Sequence, residues 1–272
     1  MKDIKDITEK LEQGVKAVYG SDEYKNYLRF MGTFHNYSAN NCILIYLQRP
    51  DATLVAGYQT WLKKHGRQVR KGEKGITILA PAPFKVKRRR WEPDGTETVE
   101  EVQVMSYRPT TVFDVSQTDG ADVPSHPCKV LEGDVVDFAG LLEKLKAVSP
   151  VAVGFEMMDG AKQGYFNSSE NRIALKEGAS ERQTIKTLVH EISHALLHGD
   201  DGDEKKADRR TKEVQAESVA FTVCSYLGLD TSDYSFGYVA AWSEGQDVKE
   251  LCSSMEVIRK TAQTIISGIE AA

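Results

Sequence analysis

The chain has 272 residues, of which 40% are hydrophobic and 28% are charged, a composition typical of soluble globular proteins that excludes a disordered or membrane-embedded chain. It has no run of eighteen apolar residues and its charged N-terminus lacks the apolar core of a signal peptide, so we expect no membrane segment and a cytoplasmic location. The four cysteines lie far apart without C-x-x-C spacing, which predicts reduced thiols.

The net charge is −5, but positive charge is concentrated between residues 49 and 90. Twelve Lys and Arg occur there with only two acids, Asp51 and Glu73. Such asymmetry within an acidic protein predicts an anionic partner for this region. Nucleic acid is favoured over a membrane surface, because no amphipathic basic helix with bulky apolar residues accompanies the charge.

Apolar residues at helical spacing predict helices over residues 2–19, from residue 21 or 22 through 30, and over 42–48. A polar and aromatic turn, residues 34–41, precedes the third helix. Tyr37 offers a ring for stacking on a base and Asn40 an amide for a base edge. The alternative is a helix cap with packing aromatics.

Residues 57–75 combine glycines with six cations, which predicts a flexible loop that a phosphate backbone can approach closely. The candidate DNA-binding residues in and before this loop are two aromatic rings for stacking and six cations: Tyr58, Trp61, Arg49, Lys64, Arg67, Arg70, Lys71 and Lys74. A strand follows at 76–81, and strands at 84–91 and 99–107 are predicted to pair around a turn. Acids on the second of these strands offer an alternative, in which part of the basic charge forms cross-strand ion pairs.

Residues 118–127 are rich in turn formers and are predicted to be a linker. Beyond them the pattern predicts a helix over 135–147, a strand over 151–157, a hairpin from 164–167 and 172–175, and a closing helix over 248–269.

The sequence from Thr187 to His198 places His190 and His194 four residues apart with Glu191 between them. On a helix both imidazoles project from one face, which suits two ligands of one zinc ion, and Glu191 can act as general base on water at the metal. An apolar stripe on the other side of the helix supports this interpretation, and the alternative is a core helix with incidental histidines. His198 continues the spacing, but we expect it to cap the helix before Gly199.

A zinc site of this kind needs a third protein ligand, and residues 212–221 predict a helix with Glu213 and Glu217 on one face. We expect Glu213 to bind the metal and Glu217 to hold a ligating histidine through its second ring nitrogen. The alternative is a solvated acidic face beside Lys212.

Residues 34–38, 47–53, 55–58 with Trp61, and 66–76 resemble the N-terminal single-stranded-DNA-binding domain of ArdC-like antirestriction proteins. The second half resembles the zincin metallopeptidase domain of that family, related in pattern to the ImmA/IrrE peptidases. The resemblance implies an α+β protein of a mobile genetic element, with a DNA-binding domain at 1–117, a linker at 118–127 and a metallopeptidase domain at 128–272. Gln215 stands where related peptidases vary, and nothing in the sequence identifies a peptide substrate.

Two functions therefore compete for this chain. In the first it binds single-stranded DNA and is a zinc metallopeptidase acting on an unidentified peptide or protein. In the second it is a DNA-binding protective protein whose zincin half has a structural or regulatory role. A magnesium nuclease is less favoured, because such sites gather carboxylates rather than imidazoles.

Overall fold

The computed structural model describes residues 4–19, 23–91, 97–123, 137–199, 206–229, 231, 234 and 236–272. Helices and strands occur in both halves, so the predicted α+β class is confirmed. The elements of the first half are α1 (Ile4–Tyr19), α2 (Glu23–Thr33), α3 (Ala39–Gln48), β1 (Val55–Ala56), α4 (Tyr58–Lys64), β2 (Arg67–Val69), β3 (Ile76–Pro81), β4 (Phe84–Trp91), β5 (Glu97–Val104), β6 (Tyr107–Asp114) and β7 (Thr118–Gly120). Those of the second half are α5 (Phe138–Val148), β8 (Ala152–Glu156), β9 (Gly164–Asn167), β10 (Arg172–Lys176), α6 (Glu181–His198), α7 (Arg209–Tyr226), α8 (Gly237–Ser243) and α9 (Val248–Ala271).

Helix α3 begins three residues before its predicted start at Cys42. The reason is local, because the Ser38 hydroxyl accepts a hydrogen bond from the backbone N–H of Asn41 and caps the helix at Ala39. Pro50 follows shortly after the helix end, as the sequence predicted.

The side chains of α3 cover the outer edge of β3. The Asn41 amide donates to the carbonyl of Leu79 and accepts from its N–H, both at 2.9 Å. Gln48 makes the same pair of bonds with Thr77, at 2.8 and 2.9 Å. Two helical amides thus replace a neighbouring strand, and on its other edge β3 pairs with β6 in the order β1-β6-β3.

The prediction of a flexible loop over residues 57–75 is wrong for much of its length. Residues 58–64 form α4, and 67–69 form β2, which pairs antiparallel with β7. Burial of Trp61 explains the helix, because that ring is fully enclosed and fixes α4 against β6. Since β7 occupies residues 118–120, the predicted linker begins with an ordered strand, and its residues 124–127 lie outside the described ranges.

Strands β4 and β5 form the predicted antiparallel hairpin, with Phe84 opposite Val104. Lys87 lies opposite Glu101 and Arg88 opposite Glu100, and Lys85 forms an ion pair with Glu101 at 3.2 Å. The alternative of cross-strand ion pairing is therefore confirmed for this part of the basic stretch.

The second half is built on the sheet β8-β10-β9. Strand β10 pairs parallel with β8 and antiparallel with β9, and α6 packs on β9 and β10. Helix α7 packs against α6 on one side and against α9 on another, so α6 and α7 meet as neighbours in front of the sheet. This arrangement brings the two motif-bearing helices together.

Helix α9 closes the molecule and begins with a capping box, in which Asp247 and Glu250 each accept a backbone N–H of the other. It buries Leu251, Met255 and Ile258 against both halves of the chain. None of the helices in the described ranges has both the length and the apolar character needed to cross a membrane.

The helices of the first half pack directly on the second half, chiefly α2 on α7. The Tyr24 hydroxyl lies 2.8 Å from that of Ser218, which itself donates to the Val214 carbonyl, so Tyr24 is the donor. Arg259 of α9 donates to the buried backbone carbonyl of His35 at 2.7 Å. The hydrophobic core is therefore continuous across both halves, while the division at 1–117 and 128–272 stays a prediction.

Candidate metal centre and nucleic-acid surface

Helix α6 presents His190 and His194 side by side. Ser180 caps the helix by accepting the N–H of Gln183, and a stripe that includes Ile192 buries the opposite face. The two Nε2 atoms lie 3.1 Å apart, because residues four apart share one helix face. The predicted pairing of these imidazoles is thus present in the structure.

Glu213 of α7 completes a group of three potential ligands with His190 and His194. Its Oε2 lies 3.9 Å from His190 Nε2 and 3.8 Å from His194 Nε2. Ligand atoms about 2.0–2.2 Å from a tetrahedral zinc ion are about 3.3–3.6 Å from one another. The observed separations of 3.1, 3.8 and 3.9 Å lie within about 0.3 Å of that range, so small side-chain movements would bring the three atoms to it. The neighbouring His194 lowers the pKa of Glu213, which favours the carboxylate form that binds metals.

Glu217, one turn further along α7, lies behind His190. Its Oε2 is 3.3 Å from Nδ1, the ring nitrogen on the side away from His194. Burial alone would lower the pKa of His190, but the hydrogen bond to Glu217 and the neighbouring carboxylates outweigh burial and raise that pKa. Glu217 is thus placed to orient the ring of His190.

His198 does not serve mainly as the expected helix cap. Its Nδ1 lies 2.9 Å from Nδ1 of His194, and its Nε2 lies 3.1 Å from Oε1 of Gln215. Burial of the ring lowers the pKa of His198 to about 4, so the ring is neutral near pH 7. The spacing of four residues after His194 was visible in the sequence, but the contact with Gln215 depends on how α6 and α7 pack.

Glu191 lies beside the histidines, almost fully buried, and accepts the backbone N–H of Phe166 at 2.8 Å. Two adjoining cavities of about 340 Å³ each meet at His190 and Glu191. The backbone of β9 lines them through Gly164 and its neighbours, so an open cleft runs between β9 and the two helices. The site can hold a cation, a water molecule and an extended ligand along β9.

The structure corrects the assignment of Trp61 to DNA binding. Its ring is 0% exposed and its indole N–H donates to the carbonyl of Phe113 at 2.8 Å. A ring enclosed in this way has no face for a base, so Trp61 is a core residue. Tyr58, at the start of α4, is 43% exposed and keeps a ring available at the surface.

Three of the predicted DNA-binding arginines already have partners. Arg67 donates to the hydroxyl and the carbonyl of Thr118, both at 2.7 Å, and so holds β7. Arg70 forms ion pairs with Glu73 at 2.9 Å and Asp119 at 3.1 Å. Arg49 donates to Ser116 at 3.1 Å. These contacts stabilise the local fold, whereas Lys64, Lys71 and Lys74 are exposed.

The turn at 34–41 is partly interior, with buried, half-buried and exposed residues. Phe34 and His35 are buried, Ser38 caps α3, and the half-buried Tyr37 donates to the Val55 carbonyl at 3.0 Å. The alternative of a cap with packing aromatics therefore describes these residues. Asn40 is exposed on the first turn of α3, and a contact between it and DNA stays a prediction.

A groove of about 690 Å³ lies between α1, α3 and the start of β3. Ile7, Leu44 and Ile76 form its apolar part. Its charged lining residues are three cations and one acid: Lys10, Arg49, Lys74 and Asp6. Lys10 was not predicted from the sequence, although its position on the helix face shared with Asp6 and Gly14 follows from the spacing.

Two family models match the chain. Residues 3–113 match the N-terminal domain of anti-restriction factor ArdC, and residues 150–235 match the IrrE N-terminal-like domain. The first match contains the groove and α4, and the second contains α6 and α7.

The comparisons also identify similar whole chains. An uncharacterized protein of Bacillus anthracis is 28% identical over an alignment of 306 residues, gaps included. The alignment covers 98% of this chain and 51% of that protein. The chain thus spans about half the length of the curated relative it matches. Crystal structures of the antirestriction ArdC protein from plasmid R388 share the fold at 19% identity. The metal-free form has a TM-score of 0.57, with 92% of this chain and 99% of that chain covered. The Mn(II)-bound form has a TM-score of 0.58, with 98% of each covered.

Proposed function

We propose, from the premise that this chain is an ArdC-like protein joining an ArdC N-terminal domain to an IrrE-like domain, that it binds single-stranded DNA and hydrolyses peptide bonds at a zinc centre. The coarser part of the proposal, a divalent metal, is supported by the Mn(II) bound to the R388 relative. Zinc is favoured for this chain because two imidazoles and one carboxylate form a ligand set typical of catalytic zinc.

The observation that carries the enzymatic proposal is the meeting of His190, His194 and Glu213 beside Glu191 in an open cleft. A zinc ion held by the first three would supply Lewis acidity. Glu191 then acts as general base that takes a proton from water, and Glu217 orients His190. The fixed hydrogen bond from Phe166 leaves the second oxygen of Glu191 for that proton.

Strand β9 supports an extended peptide as the substrate. It pairs with β10 on one side, and within the described ranges no strand pairs with its other edge. That edge lines the cleft at Gly164, Tyr165 and Phe166, and the N–H of Phe166 is already donated to Glu191. A peptide can therefore add to the sheet through the other backbone groups of this edge and place a scissile carbonyl near Glu191.

Metal analysis of the purified protein tests this proposal. We expect about one zinc ion per chain, and loss of that ion in a His190→Ala, His194→Ala double variant. A Ser193→Ala variant is the matched control, because Ser193 is buried on the same helix and its hydroxyl donates to the Val189 carbonyl of its own turn. Full metal content in the double variant would contradict the proposed ligands.

The groove beside α1 supports binding of single-stranded DNA. Its apolar floor suits a nucleobase and its cations suit the adjacent phosphates, a combination that a single strand offers and a duplex hides. Arg49 and Lys74 were predicted from the sequence, and Lys10 joins them across the groove.

Fluorescence anisotropy across a salt series tests this second part in the full chain. A Lys10→Gln, Lys74→Gln variant should weaken binding of all single-stranded sequences and reduce the salt slope by about 1.4, or about 0.7 for each phosphate that the variant no longer neutralises. The control is Lys249→Gln, Lys260→Gln, which removes two exposed charges from α9. Equal effects of both variants would assign the groove no special role.

A further inference from the structure

Three imidazoles and one amide form a continuous line through α6 and α7. His190 and His194 meet at 3.1 Å through Nε2, and His194 and His198 meet at 2.9 Å through Nδ1. The line ends where His198 Nε2 lies 3.1 Å from the Oε1 of Gln215. Gln215 is 1% exposed and His198 is 9% exposed, so water has little access to this end.

The positions of the protons follow from the end of this line. An amide oxygen only accepts hydrogen bonds, so Nε2 of His198 carries the proton that Gln215 receives. A neutral imidazole with a proton on Nε2 has a lone pair on Nδ1, which accepts from Nδ1–H of His194. Nε2 of His194 then bears a lone pair, and it is the nitrogen that faces His190 and Glu213.

We propose that His198 and Gln215 are positioning residues that fix His194 in the tautomer whose Nε2 can bind a metal ion. This inference rests on the proposed metal centre. The two histidines are then oriented by different groups. The carboxylate of Glu217 orients His190, whereas the neutral side chains of His198 and Gln215 orient His194. These two neutral groups orient the ring of His194 without adding a second carboxylate behind the site.

Nitrogen NMR of the histidine side chains in the metal-free full-length protein reads the tautomer directly. In the parent chain we expect His194 to carry its proton on Nδ1. Gln215→Met keeps the length of the side chain but removes the acceptor, so His194 should become a mixture of tautomers. Gln215→Glu keeps an accepting oxygen and should restore the parent signal at a pH where His198 stays neutral.

Zinc affinity, measured by competition with a chelator, gives the second readout. Gln215→Met should bind zinc about 10 to 100-fold more weakly, as is usual when a group supporting a ligand is removed, and Gln215→Glu should recover most of that affinity. Ser193→Ala, a buried change on α6 outside the line, controls for reduced stability and should leave the affinity unchanged. If Gln215→Met does not fold, His198→Met interrupts the same line of hydrogen bonds at another residue.

The outcomes separate this inference from the metal proposal. An unchanged His194 tautomer and an unchanged zinc affinity in Gln215→Met would overturn it. Equal decreases of affinity in Gln215→Met and Ser193→Ala would also overturn it, because reduced stability would then be the common cause. If the parent chain binds no zinc but Gln215→Met still changes the tautomer, the positioning of His194 is supported and the metal centre is wrong.

Discussion

The carboxylate of Glu191 and the backbone N–H of Phe166 are joined by a hydrogen bond of 2.8 Å. The bond links α6 to β9 across the cleft, so the carboxylate is held by the strand that a substrate would lie along. Side-chain rotation of Glu191 is thereby restricted before any ligand binds, which reduces the cost of orienting it for proton transfer.

We predict that Glu191→Gln retains zinc but lowers peptide hydrolysis by about 10² to 10⁴-fold, because the amide still accepts the Phe166 N–H but cannot take a proton. Zinc content and cleavage of a fluorogenic peptide library measure the two effects. Glu177→Gln, an exposed change after β10, is the control. Equal, low activity in parent and variant would favour a structural or regulatory zinc.

The two acids of α7 should differ in their effects on the metal. Glu213→Ala should abolish tight zinc binding, since it removes the proposed third ligand, whereas Glu217→Ala should weaken binding by about 10 to 100-fold, since it removes only the proposed support of His190. Isothermal titration with zinc measures both affinities. The opposite order would exchange the roles of the two residues.

Trp61 should contribute to stability and not to DNA recognition. Trp61→Ala is expected to reduce the free energy of unfolding by about 3–5 kcal/mol, because it empties a fully buried site and leaves the Phe113 carbonyl without its donor. Tyr58→Ala should instead weaken DNA binding by about 1–3 kcal/mol if the exposed ring stacks on a base. Urea denaturation and anisotropy separate the two effects, and normal stability of Trp61→Ala would contradict the first.

Asp114 should make stability depend on acidic pH. Burial alone would raise the pKa of its carboxyl, but hydrogen bonds from Ser116 and from the backbone N–H groups of Thr53 and Leu54 outweigh burial and lower that pKa. A lowered pKa stabilises the folded chain above the ordinary value of about 3.9, and this stabilisation is lost as pH falls further through the folded-state pKa. Asp114→Asn should therefore be less stable at pH 7 and lose less on acidification. Urea midpoints at pH 7, 4 and 3 measure this, with the exposed Asp159→Asn as control.

The geometry of His190, His194 and Glu191 was predictable because helix periodicity alone determines which residues four apart share a face. The same rule placed Glu213 and Glu217 together on α7. It could not place either acid relative to the histidines, because that depends on the packing of α7 against α6.

Residues whose roles arise from contacts between distant segments were not predictable. The burial of Trp61 depends on β6, the position of Lys10 in the groove depends on α3 and β3, and the role of Gln215 depends on His198. A tryptophan among cations fits stacking and packing equally well in sequence. An amide on a helix likewise gives no local sign of its partner.

Gly32, where α2 crosses α7, makes the two halves of the chain interdependent in recombination. A Cβ atom at this position would lie 3.2 Å from the carbonyl oxygen of Thr222, tighter than most packing contacts, so the neighbouring helix would have to give by a few tenths of an ångström. A hybrid that takes its first half from one relative and its second from another therefore places new side chains against each other where α2 packs on α7. Helix α7 also bears Glu213, so a change in the packing of α2 on α7 acts on the helix that carries an acid of the candidate metal centre.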